Sequence, residues 1–182
     1  MEVWDLAVTG HAFHVPAGVK IHPFPPLKPL KYKPYFVVHT DNLPPPGKVE
    51  GMVIENIPGE QPDEVWELLN GNDFLLDIGH AFSSNLYLSD EVNPFDFARW
   101  FALKPKALHF HDCRIDIPNP WGKPDAADHQ LLGSGILPLK EILKIAEESE
   151  VEYVALECFY EGYGAKDYSF AEKREALDRI LA

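Results

Sequence analysis

Residues 74–80 read Phe74-Leu75-Leu76-Asp77-Ile78-Gly79-His80. The run before Asp77 is short, apolar and led by an aromatic residue, which predicts a strand. It ends on an acid, and a histidine follows three residues later. The same arrangement recurs on both sides of it. Val37-Val38 leads to His39, and Val53-Ile54 leads to Glu55. Ala107-Leu108 leads to His109, then His111 and Asp112, and Ala155-Leu156 leads to Glu157. Each time an apolar pair ends in a side chain that can bind a metal or move a proton.

Around these points the chain alternates strand and helix. Strands are expected at 3–8, 35–39, 52–55, 74–77, 107–111 and 153–157, all short and apolar. Helices are expected at 62–70, with Pro62 suited to the first turn, and at 94–103, 139–148 and 170–181. Such alternation predicts a parallel α/β fold in a single domain spanning 1–182. In parallel β/α folds the loops after the strands converge on one face, where active sites lie. The polar residues at the strand ends therefore point to one shared site.

Imidazole and carboxylate together suit a divalent ion such as Zn²⁺, Mn²⁺, Mg²⁺ or Co²⁺. Taken singly, each residue has a plainer reading. A glutamate at a strand end is solvated or salt-bridged, Asp77 caps a helix or makes a loop hydrogen bond, and His109 is a satisfied core histidine. Placement at five strand ends is what argues for a common site. His11, His14 and His22 lie in proline-rich sequence, and of these His14 is the one that can face a site. Cys113 and Cys158 read as buried, inert thiols. Gly133-Ser134-Gly135 is either a phosphate-facing turn or a simple turn. Trp121 with Pro118, Pro120 and Pro124 suggests a structured loop over the site, with Tyr160, Tyr163 and Tyr168 packing beside it.

Composition narrows the function. The 182 residues are 46% hydrophobic and 25% charged, which excludes disorder and collagen-like architecture. No apolar run approaches the roughly 20 residues of a membrane helix, and residues 1–10 lack a basic stretch followed by an apolar one. With two cysteines and no disulfide framework, the expected address is the cytoplasm. The net charge is −13, while residues 1–50 sum to +1, so the acidity lies beyond them. That counts against nucleic acid as a partner, since phosphate neutralisation needs basic surface. Nine of the 17 prolines fall between Pro16 and Pro46, so 16–34 is expected to be an extended, ordered loop.

The motifs carry a resemblance. Glu55-Asn56-Ile57-Pro58-Gly59 resembles the strand-end E-N-x-x-G of the xylose-isomerase-like TIM-barrel superfamily, which includes endonuclease IV and many sugar isomerases and epimerases. Asp77-Ile78-Gly79-His80-Ala81-Phe82 is similar to its D-x-x-H-A segment, and His109-Phe110-His111-Asp112 to its H-x-x-D segment. Asp128-His129-Gln130-Leu131-Leu132-Gly133-Ser134-Gly135 is similar to the D-x-H-x-x-x-G-x-G loop of endonuclease IV, and Glu157 falls where the last strand carries a metal glutamate. The resemblance implies that Glu55, Asp77, His109 and Glu157 hold one divalent ion, with Glu55 or Glu157 as the catalytic base. It makes His39, His80 and His129 a second set, for a further metal or for substrate, and His14 a match for the family's first histidine. His111 and Arg114 would contact substrate. In the endonuclease loop an aspartate stands two residues before the histidine. Here that position is Ala127, and neither Asp128 nor Asp125 replaces it in register, so one or two ions are expected rather than three.

Three functions follow. The first is a metal-dependent isomerase or epimerase of a sugar or sugar phosphate, working through an enediolate. The second is an endonuclease IV-like phosphodiesterase acting on abasic DNA, and the third is a non-catalytic family member. A usual barrel has about 250 residues, so this chain is about 70 short of one. The expectation is a reduced or incomplete barrel of about six or seven strands. Its exposed edge would be covered by the proline-rich loop or by a second copy of the chain.

Overall fold

In the computed structural model the described residues are 2–5, 12–14, 35–42, 47–88, 97–116, 127–158 and 168–182, with side chains described from residue 37 onward except 86–88. Among them the strands are β1 (Glu2–Asp5), β2 (Ala12–His14), β3 (Tyr35–His39), β4 (Met52–Glu55), β5 (Asp73–Asp77), β6 (Ala107–Phe110), β7 (Asp112–Arg114), β8 (Ala127–Gln130) and β9 (Tyr153–Leu156). The helices are α1 (Pro62–Leu68), α2 (Ile78–Leu88), α3 (Ala98–Phe101), α4 (Leu139–Glu148) and α5 (Phe170–Leu181).

Seven strands form one parallel sheet in the order β1-β9-β6-β5-β4-β3-β2. From β2 to β9 this is the order of the chain, and the first strand lies beside the last. β7 and β8 form a separate antiparallel pair. The fold is thus α/β with a parallel sheet, as the alternation predicted.

The period-2 geometry of a strand sorts the apolar pairs onto opposite faces. Val38, Ile54, Leu76, Leu108 and Val154 join a large core with Val65 and Leu69 at α1, Trp100 and Phe101 of α3, and Ile142, Leu143 and Ala146 of α4. Val37, Val53, Leu75 and Ala107 form a second, smaller layer with Tyr153 against it. Both layers are buried, as parallel sheets require. Two residues further along the same face as the small layer come His39, Glu55, Asp77 and His109. The apolar layer is therefore the floor under the polar residues.

Local chemistry sets the helix boundaries. Pro62 begins α1, where its missing N–H costs nothing, and the Gln61 amide donates to Glu64 Oε2 at 2.8 Å. Ser169 and Glu172 cap α5 reciprocally, with Ser169 N donating to Glu172 Oε2 at 2.8 Å and Glu172 N to Ser169 Oγ at 3.4 Å.

The structure differs from the sequence reading in four places. α2 follows β5 with no loop at all, and the sequence reading had no helix there. β2 is a three-residue strand where none was expected. The β7–β8 pair was also unforeseen, because its strands are short and far apart in the chain. The 94–103 helix is described from residue 97, and over 97–103 it covers only Ala98–Phe101, as α3. The expected 16–34 loop, residues 6–8 of the first strand, the Trp121 loop, Tyr160 and Tyr163 lie outside the described residues.

Candidate metal centre

The floor of the site is made by the ends of four neighbouring strands. Glu55 closes β4, Asp77 closes β5, His109 lies in β6 and Glu157 follows β9. In register, Asp77 stands opposite His109, and the Glu157 amide donates to the Phe110 carbonyl at 3.2 Å. All four residues are at most 2% exposed. His109 Nδ1 lies 3.0 Å from Glu55 Oε1, 3.7 Å from Asp77 Oδ2 and 2.8 Å from Glu157 Oε2. One ligand atom from each of the four lies within 4.8 Å of the others. Three carboxylates and one imidazole, converging from separate strands, are a donor set that fits a hard-to-borderline divalent cation. They are four of the five strand-end residues of the sequence, and the set that the resemblance implies for one ion.

The neighbours of each acid set its orientation. Asn56 receives the Asp77 amide on its side-chain oxygen at 2.9 Å and donates to the Asp77 carbonyl at 3.1 Å, so the end of β4 holds the end of β5. Asp77 Oδ1 accepts the His80 amide at 2.8 Å, which caps the first turn of α2. Asp77 therefore takes both roles the sequence allowed it, helix cap and member of the cluster. His80 Nδ1 donates to the Asn56 carbonyl at 2.8 Å. Gly59, the last residue of the E-N-x-x-G stretch, has φ +98° and donates its amide to Ser84 Oγ at 2.9 Å.

A rim of imidazoles stands over this floor. His39 Nε2 is 3.3 Å from Glu55 Oε2, and His129 Nε2 is 3.5 Å from Glu157 Oε2. The His80 ring centroid is 6.4 Å from that of His39 and 5.8 Å from that of His129. His111 lies inside the cluster, with Nε2 3.0 and 3.1 Å from the two Asp77 oxygens and its ring stacked on His129 at 4.5 Å. Asp77, His111, His129 and Glu157 make a second group with ligand atoms within 4.8 Å, sharing both acids with the first.

Electrostatics follow from these contacts. Burial pushes the Glu55 carboxyl up, but the charge and hydrogen bond of His109 and a hydrogen bond from His39 win and hold it at about 2. Burial opposes ionisation of Asp77 too, and His80, His111 and His109 outweigh it, so this carboxyl lies well below its usual range. Burial lowers His109, while Glu157 and Glu55 raise it further, leaving it well above an ordinary imidazole. His129 is raised in the same way, against burial, by Asp128 and Glu157.

Two corrections arise here. Asp128, expected to be out of register, reaches the site. Its Oδ1 is 2.9 Å from His129 Nδ1 and its Oδ2 is 3.6 Å from His80 Nε2. Burial raises Asp128, and His129 and His80 hold it at about 2. The cause is local backbone: His129 has φ +56°, which breaks the strand alternation and brings two consecutive side chains to the same site. The phosphate-facing reading of Gly133-Ser134-Gly135 also fails. Gly133 and Gly135 donate their amides to Asp112 Oδ2 at 3.0 and 2.8 Å, and Leu137 donates to Oδ1 at 3.0 Å. The turn is already closed on a buried carboxylate.

Arg114 points its fork at Asp116, with Nε and Nη2 at 2.9 and 2.6 Å. Cys113 and Cys158 are buried, and burial pushes the Cys113 thiol up, which matches an inert role. The backbone of His14 pairs with Val37, and its side chain lies outside the described residues. Asp128 is the site residue the sequence reading passed over, although its place beside His129 was a signal for it. Among the described residues no helix is long and apolar enough to cross a membrane.

Fold and site together define a parallel α/β protein with a buried carboxylate–imidazole cluster at the C-terminal ends of its strands. No family model, curated protein or solved structure matches the chain.

Proposed function

We propose that this chain is a divalent-metal-dependent isomerase or epimerase of sugars or sugar phosphates, on a reduced barrel of the xylose-isomerase-like kind. The observation that carries the reading is the convergence of Glu55, Asp77, His109 and Glu157, from four strand ends, to within 4.8 Å. The fold supports it in two ways. The first strand pairs with the last, as a closing barrel requires. The inner face carries an apolar layer beneath the polar residues, as barrel interiors do.

When bound, a divalent ion supplies Lewis-acid polarisation of neighbouring carbonyl and hydroxyl oxygens. Glu55, gripped by His109 at 3.0 Å and by His39 at 3.3 Å, acts as a ligand. Glu157 takes the proton from the carbon beside the substrate carbonyl, and the C–H electron pair becomes the C=C bond of an enediolate. Returning the proton to the neighbouring carbon, while the hydroxyl proton passes to the former carbonyl oxygen, completes an isomerisation; a proton delivered to the other face of the same carbon by a second acid completes an epimerisation. His129, 3.5 Å from Glu157, passes protons between that carboxylate and solvent. His39, the more open imidazole, orients a substrate hydroxyl.

The test is proton exchange. The Mn²⁺-loaded protein, incubated in D₂O with a panel of ketoses and aldoses, free and phosphorylated, is expected to place deuterium beside a carbonyl. Glu157→Gln should lose that exchange by about 10²–10⁴-fold, the usual weight of a general base. Absence of exchange across the panel with metal bound would sink the reading.

One observation favours a second reading, a phosphodiesterase acting on abasic DNA with more than one ion. Asp128 supplies the acid between His80 and His129 that the loop otherwise lacks. Two or more ions per chain together with nicking of an abasic duplex would establish it over the first.

A further inference from the structure

We infer that His111 is a positioning residue: an Nε2–H imidazole that holds the Asp77 carboxylate in place for the metal and is not itself a ligand. The inference rests on the metal reading above for its purpose and on hydrogen-bond geometry for the placement of its proton.

The His129 amide donates to His111 Nδ1 at 2.8 Å. A backbone amide can only donate, so Nδ1 carries the lone pair. The Asp112 carbonyl, 3.2 Å from the same nitrogen, would need a proton there. One nitrogen cannot satisfy both, and the shorter contact has the fixed donor. The ring proton is therefore on Nε2, which faces both Asp77 oxygens at 3.0 and 3.1 Å.

The ring has a built place. It is fully buried and lies nearly parallel to His129, at 6°. Gly79, in the first turn of α2, opens the space for it: a Cβ there would stand 2.1 Å from His111 Cε1. His80 is set the opposite way. Its Nδ1 donates to the Asn56 carbonyl at 2.8 Å, and its Nε2 stands 3.6 Å from Asp128 Oδ2. Two histidines beside one aspartate thus use the same ring nitrogen in opposite senses: His80 donates through Nδ1, and His111 accepts there. His111 therefore presents a proton to Asp77. With Nδ1 held as an acceptor, His111 could ligate through Nε2 only as an imidazolate, so it stands outside the ligand set. The imidazole instead ties the backbone of β8 to the acid at the end of β5. A hydrogen bond from an imidazole fixes the orientation of a ligating carboxylate, and losing such a partner typically costs about 10–100-fold in metal affinity.

The experiment has two parts. Long-range ¹H–¹⁵N imidazole spectra of the unaltered chain without added metal, assigned with His111→Gln, are expected to show the Nε2–H tautomer at His111. They should show the same tautomer after Zn²⁺ is added. An Nδ1–H tautomer, or a Zn²⁺-coordinated Nε2, overturns the inference. Zn²⁺ titration calorimetry then compares two variants. His111→Gln keeps a donor at the ε position and should stay near the unaltered affinity. His111→Asn keeps only the δ-position acceptor and should lose about 10–100-fold. Equal losses in the two variants overturn the inference. If the unaltered chain binds no Zn²⁺, the metal reading fails, and the metal-free spectrum still decides the tautomer of His111.

Discussion

The two ends of the parallel sheet carry the same kinds of charge and treat them in opposite ways. At the N-terminal end, Lys106 Nζ lies 3.2 Å from Asp73 and 3.8 Å from Glu152, and Lys48 Nζ lies 3.8 Å from Asp73. These side chains are 31–64% exposed. At the C-terminal end, Glu55, Asp77 and Glu157 are buried and meet imidazoles. β5 shows the contrast within one strand, since it opens on Asp73 and closes on Asp77. Residue type does not separate these two aspartates; surroundings do. Water carries most of the charge at one end, so its pairs are weak. Protein groups carry it at the other, so that end is sensitive to anything that adds or removes charge.

The largest difference between the ends should therefore appear on adding a divalent ion. A ligand at a hundredfold excess over its Kd stabilises the folded state by about 2.7 kcal/mol. For a chain of this size that is a rise in Tm of about 5–10 °C. Thermal melts with Mn²⁺ or Zn²⁺ should show it, and Glu55→Gln should abolish it.

The pH dependence sharpens the same measurement. His109 and His129 are raised in the folded state, so without metal they stabilise it fully below the unfolded imidazole pKa of about 6.5. That contribution is lost as the pH rises through the higher folded value. Glu55 and Asp128 are held at about 2, so they stabilise the fold above the ordinary carboxylate pKa and lose this as the pH falls toward 2. Metal binding needs neutral imidazoles and so strengthens as the pH rises. The gap in Tm between metal-loaded and metal-free protein should widen from about pH 6 to about pH 8. A gap that narrows over this range would place the metal away from the imidazoles.

Next in size is an overfilled position in the turn beside the C-terminal end. A Cβ on Gly135 would stand 2.1 Å from the Cys113 carbonyl and 2.5 Å from Asp112 Oδ1. Backbone cannot swing aside as a side chain can, so Gly135→Ala should cost about 1–3 kcal/mol in a urea melt. The buried Asp112 clamp would loosen with it. A change under about 0.5 kcal/mol, the scale of ordinary surface substitutions, would show that the turn yields freely.

The floor of the site was legible because of strand geometry. Side chains alternate, so in β4, β5 and β6 a floor residue two places beyond an inner-layer residue must share its face, and His39 of β3 in the rim obeys the same rule. Val37 and His39, Val53 and Glu55, Leu75 and Asp77, and Ala107 and His109 are such pairs. α2 was hidden for the opposite reason. Residues 78–84 are buried on every side, so the helix shows no polar face to give it a period. Asp128 was hidden by the left-handed backbone at His129, which a sequence read as a regular strand does not announce. The tautomer of His111 depends on an amide 18 residues away, a contact that only the fold creates.

The smallest expected effect is at the other end of the same strands. Lys106→Met removes the cation shared by Asp73 and Glu152 but keeps an apolar stem of similar length. Both acids remain partly in water, and Asp73 keeps Lys48. The loss should be about 0.2–1 kcal/mol, shrinking further in high salt. Metal affinity should not change, because the apolar layer of Val37, Val53, Leu75 and Ala107 separates this end from the cluster. Urea melts and Zn²⁺ titration of the one variant measure both quantities. A tenfold loss of Zn²⁺ affinity in Lys106→Met would mean that β5 and β6 transmit a shift of register from Asp73 and Lys106 to Asp77 and His109. The two ends would then be one electrostatic unit, and the buried acids would owe their placement to pairs that water alone was expected to govern.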